Sequence, residues 1–204
     1  FVYELICMGS MVFIVTWVSS FLAFLVRVLG YLRYRAKLLM QRKPIKVLLE
    51  GVENSGKSTL LHLLRTDKIA MHVPTLHPHS ETVVVNGCQF QIFDIGGPEP
   101  RRRIVADYIN LVDAVVFCID AADRSRMAEA KEELKIDLEK VHSSIPFAIF
   151  GTKTDLPHHL SRDDLWQALG LGSMSSHPVE LFMGSTVKRK GHQEPFRWLA
   201  HFAK

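Results

Sequence analysis

Residues 51–59 read Gly51-Val-Glu-Asn-Ser-Gly-Lys-Ser-Thr59, and they follow the mainly apolar run Ile45-Lys-Val-Leu-Leu-Glu50. It matches G-x-x-x-x-G-K-[ST], the pattern of a phosphate-binding loop. In such a loop the glycines let the backbone wrap a phosphate, and the N–H groups that open the next helix point at it. A strand before the pattern and the helix-forming run Thr59–Arg65 after it are the context this loop requires. The sequence therefore predicts a nucleoside triphosphate site.

The charges of this 204-residue chain are unevenly distributed. Residues 1–46 carry a net charge of +6, whereas the remainder carries −2. A basic face for tracking nucleic acid is therefore not expected in the larger part, and we predict no nucleic-acid partner. The three widely spaced cysteines fit neither a disulfide framework nor a zinc site, which favours a reducing compartment.

Residues 5–26 contain no charged side chain, and a basic stretch follows at residues 27–43. This run is long enough for a transmembrane helix, and the basic stretch would then be its cytoplasmic flank. Weakly polar residues recurring from Thr16 to Gly30 also fit a helix that lies in the membrane interface, while the basic residues meet anionic headgroups. We predict membrane association. Whether the helix spans the membrane or lies in its interface stays open, and a buried core helix is the remaining alternative. Residues 1–43 are expected to be a membrane-associating helix and linker, and residues 44–204 the nucleotide-binding domain.

Strand and helix patterns alternate along the rest of the chain. The strands are predicted at 45–50, 81–85, 88–94, 114–120, 147–150 and 179–183, and the helices after residue 66 at 125–142, 161–169 and 194–203. Asn86-Gly87 predicts a hairpin turn, and the later crossovers predict parallel pairing. The expected fold is α/β, with a mixed, mostly parallel six-stranded sheet and helices on both faces.

Two further motifs fall at predicted strand ends, where such a fold binds its ligand. Asp94-Ile-Gly-Gly97 follows one strand, so Asp94 can hold a Mg²⁺ water and the Gly97 N–H can reach a γ-phosphate. Thr152-Lys-Thr-Asp155 follows another. A carboxylate there can accept hydrogen bonds from the N1–H and the 2-amino group of guanine, while the stem of Lys153 covers the base.

Together these residues resemble the Sar branch of the Arf/Sar small GTPases, a P-loop fold. Segments resembling that branch are Pro74-Thr-Leu-His-Pro-His-Ser-Glu81, Asp94-Ile-Gly-Gly97, Pro178-Val-Glu-Leu-Phe-Met183, Val187-Lys-Arg-Lys-Gly191 and Phe196-Arg-Trp-Leu199. The resemblance runs from about Met11, which would make 1–10 an upstream extension. It implies a GTPase that uses GTP, GDP and Mg²⁺ and starts the COPII coat at the endoplasmic reticulum. Its partners would be the lipid of that membrane, the inner-coat proteins that include its activating protein, and a membrane-bound exchange factor. Its location would be the cytoplasmic face of the endoplasmic reticulum, vesicles derived from it, and the Golgi.

The resemblance also assigns roles to individual residues. Lys57, Thr75 and Gly97 would act on the γ-phosphate in hydrolysis. The metal ligands or near-ligands would be Ser58, Thr75, Asp94 and Glu53, where Glu53 replaces the family's Asp. The nucleotide would be held by Glu53, Asn54, Ser55, Gly56, Lys57, Ser58, Thr59, Thr152, Lys153, Asp155, Ser185, Thr186 and Val187. Thr152 replaces the family's Asn, so an amide that tethers this loop and contacts the base is expected to be lost.

Pro98 is the departure of greatest consequence. The family has a His directly after D-x-G-G to orient the attacking water, whereas proline has no side-chain donor or acceptor and no N–H. Since phosphoryl transfer depends on positioning and charge, we predict slow intrinsic hydrolysis with binding left intact.

Two other classes remain open. One is a non-hydrolysing, membrane-anchored GTP-binding subunit similar to the β subunit of the signal-recognition-particle receptor, favoured by residues 5–26, Pro98 and Thr152. The other is a structural adaptor without nucleotide, which the intact loop at 51–59 disfavours.

Overall fold

The computed structural model describes residues 21–22, 24–33, 43–66, 79–95, 111–173 and 177–202. It contains two compact units, Phe1–Lys43 and Pro44–Lys204. In the described part of the second unit, six strands form one sheet: β1 Ile45–Gly51, β2 His79–Val85, β3 Cys88–Asp94, β4 Ala114–Asp120, β5 Phe147–Thr152 and β6 Val179–Met183. The sheet order is β2-β3-β1-β4-β5-β6. Only the β2–β3 pair is antiparallel among these strands. The mixed, mostly parallel six-stranded sheet predicted from the sequence is confirmed.

Helices cover both faces of the sheet. They are α1 Lys57–Thr66, α2 Met127–Lys140, α3 Arg162–Leu169 and α4 Glu194–Leu199. Alternate residues of the central strands point to opposite faces. One face packs residues such as Leu48 and Phe117 against Leu134 of α2 and Leu165 of α3. The other face packs its strand residues against α1 and α4. Because both faces are buried, the central strands are almost continuously apolar.

The hairpin between β2 and β3 has the turn that its sequence predicts. Asn86 and Gly87 both adopt positive φ, 49° and 78°, as the tight turn of a two-residue hairpin requires. The turn fixes the register, so that Val85 pairs with Cys88 and His79 with Asp94. It therefore delivers Asp94 to the end of β3, beside Leu49 of β1.

Helix boundaries differ from the predicted ones by a few residues. The helix predicted at 125–142 begins with a 3₁₀ turn, Arg124–Arg126, because the Asp123 carboxylate accepts hydrogen bonds from the N–H and the hydroxyl of Ser125. Ser161 caps α3 as predicted, accepting a hydrogen bond from the Asp164 N–H. The last helix, predicted to reach residue 203, is α-helical only to Leu199 and continues as the 3₁₀ turn Ala200–Phe202.

In the first unit, residues 21–22 and 24–33 are helical. The large apolar side chains described there are exposed, among them Phe21, Phe24, Leu29 and Leu32 at 55–60%. Among the residues described, no helix combines the length and the apolar character needed to cross a membrane. Most of the uncharged run 5–26 lies outside the described residues.

Candidate nucleotide site

The described site residues come together at one edge of the sheet. The carboxyl ends of the five mutually parallel strands meet there, which is where open α/β sheets bind ligands. Chain segments at this edge are the loop after β1, Asp94 ending β3, Asp120 ending β4, Thr152 ending β5, and the loop after β6 that contains Ser185.

The phosphate loop turns through three residues with positive φ: Gly51 at 127°, Asn54 at 61° and Gly56 at 89°. Gly51 is also required by space, because a Cβ there would lie 2.0 Å from the Cys118 carbonyl oxygen of β4. The turn is closed by a hydrogen bond of 3.2 Å from the Ser55 N–H to the Val52 carbonyl. Alternation of left-handed and right-handed residues is how a backbone collects N–H groups around an anion.

The ammonium of Lys57 lies across the mouth of this loop. Its Nζ donates hydrogen bonds to the carbonyl oxygens of Gly51 at 2.7 Å and Val52 at 2.9 Å. Lys57 is the first residue of α1, so its charge lies where the helix N-terminus also favours an anion. The geometry suits a polyphosphate.

Ser58 and Asp94 form the contact that joins α1 to the end of β3. The Ser58 hydroxyl donates to Oδ2 of Asp94 over 2.8 Å. Asp94 is 2% exposed, and its Oδ1 is buried with no hydrogen-bond partner among the described residues. A buried carboxylate oxygen left in that state is costly unless a cation or water meets it. Hydroxyl and carboxylate oxygens are the ligands that Mg²⁺ prefers, so this pair fits the metal.

Thr152 contacts the phosphate loop directly. Its Oγ1 lies 2.7 Å from the Ser55 carbonyl oxygen and 3.0 Å from the Ile119 carbonyl oxygen. The predicted loss of the tether at this position is therefore wrong. The hydroxyl replaces the amide because both acceptors are within reach of a short side chain on the last residue of β5.

Lys153 is fixed by an acidic partner that the sequence reasoning missed. Its Nζ lies 2.7 Å from Oδ2 of Asp120, and both side chains are largely buried. Lys153 has a positive φ of 57°, and Oδ1 of Asp120 accepts from the Ala122 N–H at 2.9 Å. The ion pair fixes the position of the Lys153 ammonium at the end of β4. The position of Asp120 at the end of a strand on this edge could have indicated the contact.

Asp155 is oriented from the loop after β6. The Ser185 hydroxyl donates to Oδ1 of Asp155, and Ser185 Oγ accepts from the Lys188 N–H at 3.0 Å. A carboxylate accepts about four hydrogen bonds, so this contact leaves acceptor capacity for a base.

In the loop after β6, the backbone N–H of Ser185 is already used within the protein. The Ser185 N–H donates to the Lys190 carbonyl at 2.9 Å, and the Lys190 N–H returns the bond. Ser185 therefore contributes through its hydroxyl, and a backbone donor for a base would come from Thr186 or Val187. Thr186 is 6% exposed and Val187 is 59% exposed.

Glu53 is linked to Arg126, in the 3₁₀ turn that precedes α2. Its side chain is exposed, and its carbonyl accepts a hydrogen bond of 2.8 Å from Arg126. Arg126 also makes a bidentate pair with Glu129, which raises the pKa of the guanidinium above its usual value. Nothing in the sequence pattern pointed to Arg126. The predicted metal role of Glu53 has no contact to support it among the described residues.

Several predicted residues lie outside the described residues: Thr75, Gly97 and Pro98. Asn54, Gly56 and Thr59 are described and lie in the loop or the first turn of α1. Cys118, beneath the loop, is buried, and that burial raises the pKa of its thiol to about 12. It is a packing residue, whose carbonyl excludes a side chain at position 51.

Comparisons with known proteins agree with this geometry. Residues 31–203 match the model of the Arf, or ADP-ribosylation factor, family. The chain is 34% identical to a small COPII coat GTPase SAR1 from Nicotiana tabacum over 83% of this chain and 94% of that one. It is 32% identical to ADP-ribosylation factor 1 of Brassica rapa subsp. pekinensis over 79% of this chain and 90% of that one. The structure of the Arl6 BBS3 small GTPase from Trypanosoma brucei, with the bound nucleotide analogue GppNp, superimposes with a TM-score of 0.69 at 26% identity. That match covers 79% of this chain and 98% of the other.

Proposed function

We propose that this chain, which belongs to the ADP-ribosylation factor family, is a switch of the Sar type. Members of this family are small GTPases, and the chain binds guanine nucleotides and hydrolyses GTP. In this proposal the GTP-bound form binds the endoplasmic reticulum membrane and recruits the COPII coat for transport to the Golgi. The SAR1 proteins of Nicotiana tabacum and Dictyostelium discoideum, at 34% and 32% identity, support the assignment.

The observation that carries the nucleotide-switch part of the proposal is the Ser58–Asp94 contact between the phosphate loop and the end of β3. We propose that Mg²⁺ is held here, with Ser58 as a ligand and Asp94 near or in the coordination shell. Thr75 and Gly97 would complete the site when a γ-phosphate is present, and release of that phosphate would free the segments that contain them. Glu53, through its exposed side chain, would lie at the margin of the metal shell.

Within this site Lys57 and the backbone of 53–59 would hold the phosphates, and the carboxylate of Asp155 would select guanine. Magnesium would neutralise phosphate charge and fix the phosphate oxygens. The residues of this chain would bind and orient the nucleotide and exclude water from it. The water-orienting position is occupied by Pro98, so hydrolysis is expected to be slow without the activating coat protein.

Replacing Asp155 with asparagine tests the base assignment. Guanine donates its N1–H and 2-amino group to the carboxylate, whereas xanthine presents an oxygen in place of the amino group. We expect Asp155→Asn to weaken GTP binding by at least about 100-fold and to improve binding of xanthosine triphosphate. Asp113→Asn is a matched control, since the Asp113 carboxylate accepts a hydrogen bond from the Lys46 N–H of β1, which is not among the residues assigned to the base. Equal competition by ATP and GTP for the wild-type protein would contradict the assignment.

The membrane part of the proposal rests on the exposed apolar helix at 24–33 and the basic residues around it. Loading with GTP should strengthen binding to anionic liposomes, as measured by flotation. Deleting residues 1–26 removes the uncharged run and the start of this helix, so it should weaken that binding. Nucleotide affinity should stay within about threefold, because the described contacts of the nucleotide site lie beyond residue 43. A truncated protein that floats as well as the full chain would reject this assignment.

A second candidate function is an anchored subunit that holds GTP without hydrolysing it. Pro98 and the uncharged run 5–26 favour it. Alkaline carbonate removes an interfacial helix and leaves a spanning one, so extraction of full-length protein distinguishes the anchors. Turnover of GTP with and without a COPII inner-coat activator distinguishes the functions, since only a Sar-type switch would respond.

A further inference from the structure

The phosphate loop begins with a tight turn of four residues, Val52-Glu-Asn-Ser55. The Ser55 N–H closes the turn by donating to the Val52 carbonyl at 3.2 Å. Asn54, the third residue, has a φ of 61°, whereas Glu53, the second, does not lie in the positive-φ region. Positive φ at the third position alone is the signature of a type II turn. Glycine is the residue that favours this position, and this chain has asparagine there.

Type I and type II turns differ in the orientation of their middle peptide unit, which here joins Glu53 to Asn54. Rotating that unit by about half a turn converts one type into the other and exchanges the directions of the Glu53 carbonyl and the Asn54 N–H. The type I form would give Asn54 a negative φ, which residues with a side chain prefer. The closing hydrogen bond is compatible with both forms. The observed form therefore needs a contact that distinguishes it from the other.

Arg126 makes such a contact from the 3₁₀ turn that precedes α2. Its Nη1 donates to the Glu53 carbonyl oxygen at 2.8 Å. The guanidinium is itself fixed by Glu129, whose two carboxylate oxygens lie 2.8 Å from Nε and 3.0 Å from Nη2. A guanidinium has only donors, so it can bind a carbonyl at this place but not an N–H. The contact therefore stabilises the type II form and would be lost in the type I form.

The direction of the Glu53 carbonyl matters to a bound phosphate. The Lys57 ammonium, across the mouth of the loop, contacts two other carbonyls, whereas the Glu53 carbonyl faces Arg126 on the α2 side. The Asn54 N–H points the opposite way, because the two groups lie on opposite sides of one planar peptide unit. It is thereby available to an anion that the N–H groups of the loop surround. A rotated unit would withdraw this donor and turn a carbonyl oxygen toward the phosphates.

We propose that Arg126 is a positioning residue of the nucleotide site, which holds the turn at 52–55 in its type II form and so keeps the Asn54 N–H directed at the phosphates. This proposal deepens the proposed function and rests on it, since it needs a nucleotide in this loop. Arg126 acts through the asparagine at position 54: its hydrogen bond offsets the strain of a positive φ, a strain that glycine would not have.

The test measures the affinity for GDP and the rate of GDP release, for the full chain in detergent at a fixed Mg²⁺ concentration. Arg126→Met removes the donors and keeps a long side chain. We expect GDP to bind about tenfold more weakly and to leave about tenfold faster, because a charged hydrogen bond to the loop is lost. Arg197→Met is the matched control and should bind GDP as the wild type does. Arg197 also pairs with a glutamate three residues away, at 2.6 Å, but in α4, which contributes no residue assigned to the nucleotide.

Asn54→Gly separates an effect on the turn from an effect of charge. Glycine adopts positive φ without strain, so the turn no longer needs the arginine. In an Asn54→Gly background, adding Arg126→Met should therefore change GDP affinity by less than about twofold. Arg126→Lys keeps the charge but lacks the planar fork that pairs with Glu129, so on its own it should weaken GDP binding about fivefold.

A tenfold loss that persists in the Asn54→Gly background would show that Arg126 acts otherwise than through this turn, and would overturn the proposal. So would wild-type GDP affinity in Arg126→Met, or an equal loss in Arg197→Met. If Arg126→Met does not fold, Arg126→Lys allows the same comparison: its loss of affinity should disappear in the Asn54→Gly background, and a loss that remains there counts against the proposal. A wild-type protein that does not prefer guanine nucleotides would instead defeat the proposed function, so the two failures are distinguishable.

Discussion

Replacing Gly51 with alanine should destabilise the protein by at least about 3 kcal/mol and abolish nucleotide binding. Gly51 ends β1 with φ of 127°, and an added Cβ would lie 2.0 Å from the Cys118 carbonyl oxygen. That neighbour is backbone in the centre of the sheet, so β1 and β4 would have to separate. The melting temperature should fall by roughly 6–12 °C, measured by circular dichroism, and nucleotide affinity by titration.

Gly170→Ala is the matched control for the backbone conformation. Gly170 also has a positive φ, 72°, but its nearest neighbour is the end of the flexible Lys131 side chain at 3.2 Å. The expected cost is therefore only the left-handed strain, about 1–2 kcal/mol, and nucleotide binding should be retained. Equal losses of stability in the two variants would show that the approach of β4 contributes nothing.

Replacing Pro98 with histidine should raise intrinsic GTP hydrolysis by at least about tenfold, because a positioned acid–base group contributes about 10²–10⁴-fold. GTP affinity should hardly change, since the new side chain would orient the attacking water rather than bind the nucleotide. Single-turnover hydrolysis by protein loaded with GTP measures the effect. Pro100→His is a suitable control, as it replaces the second proline of Pro98-Glu-Pro100 without supplying the group at position 98.

A different residue acting in place of the missing side chain would give another pattern. If Glu99 or an arginine of 101–103 has this role, Pro98→His will do little, whereas Glu99→Ala or an Arg→Ala change will abolish turnover. A wild-type rate equal to that of ordinary family members would defeat the expectation of slow hydrolysis.

The elements that the sequence predicted well are those set by local chemistry. Asn86-Gly87 specifies its turn, and the runs at 88–94, 114–120 and 179–183 match the observed strands residue for residue. The phosphate loop could be predicted because its glycines are needed at fixed positions. Each of these features depends on neighbours in the chain, so the sequence contains the information within a few residues.

The contacts that the sequence did not reveal connect distant segments. Thr152 reaches Ser55 across 97 positions, and Arg126 reaches the Glu53 carbonyl across 73. Both acceptors are main-chain atoms, which every residue has, so no side-chain pattern identifies them. For the same reason the expectation drawn from Thr152 was wrong: replacing an amide by a hydroxyl loses donors, but the surviving donor still finds a carbonyl.

The nucleotide site is completed by a segment late in the chain, which has a consequence for folding during synthesis. Asp155 takes its orientation from Ser185, whose loop closes through Lys190, so the base-binding half is incomplete until that segment has left the ribosome. Until then α4 is also missing, so the face of β4 and β5 that packs against Phe196 and Leu199 is uncovered, and exposed apolar surface of this kind is prone to aggregate. Nucleotide stabilises only the finished chain. A nascent chain that stops before residue 185 should therefore depend on chaperones, however much GTP the cell contains.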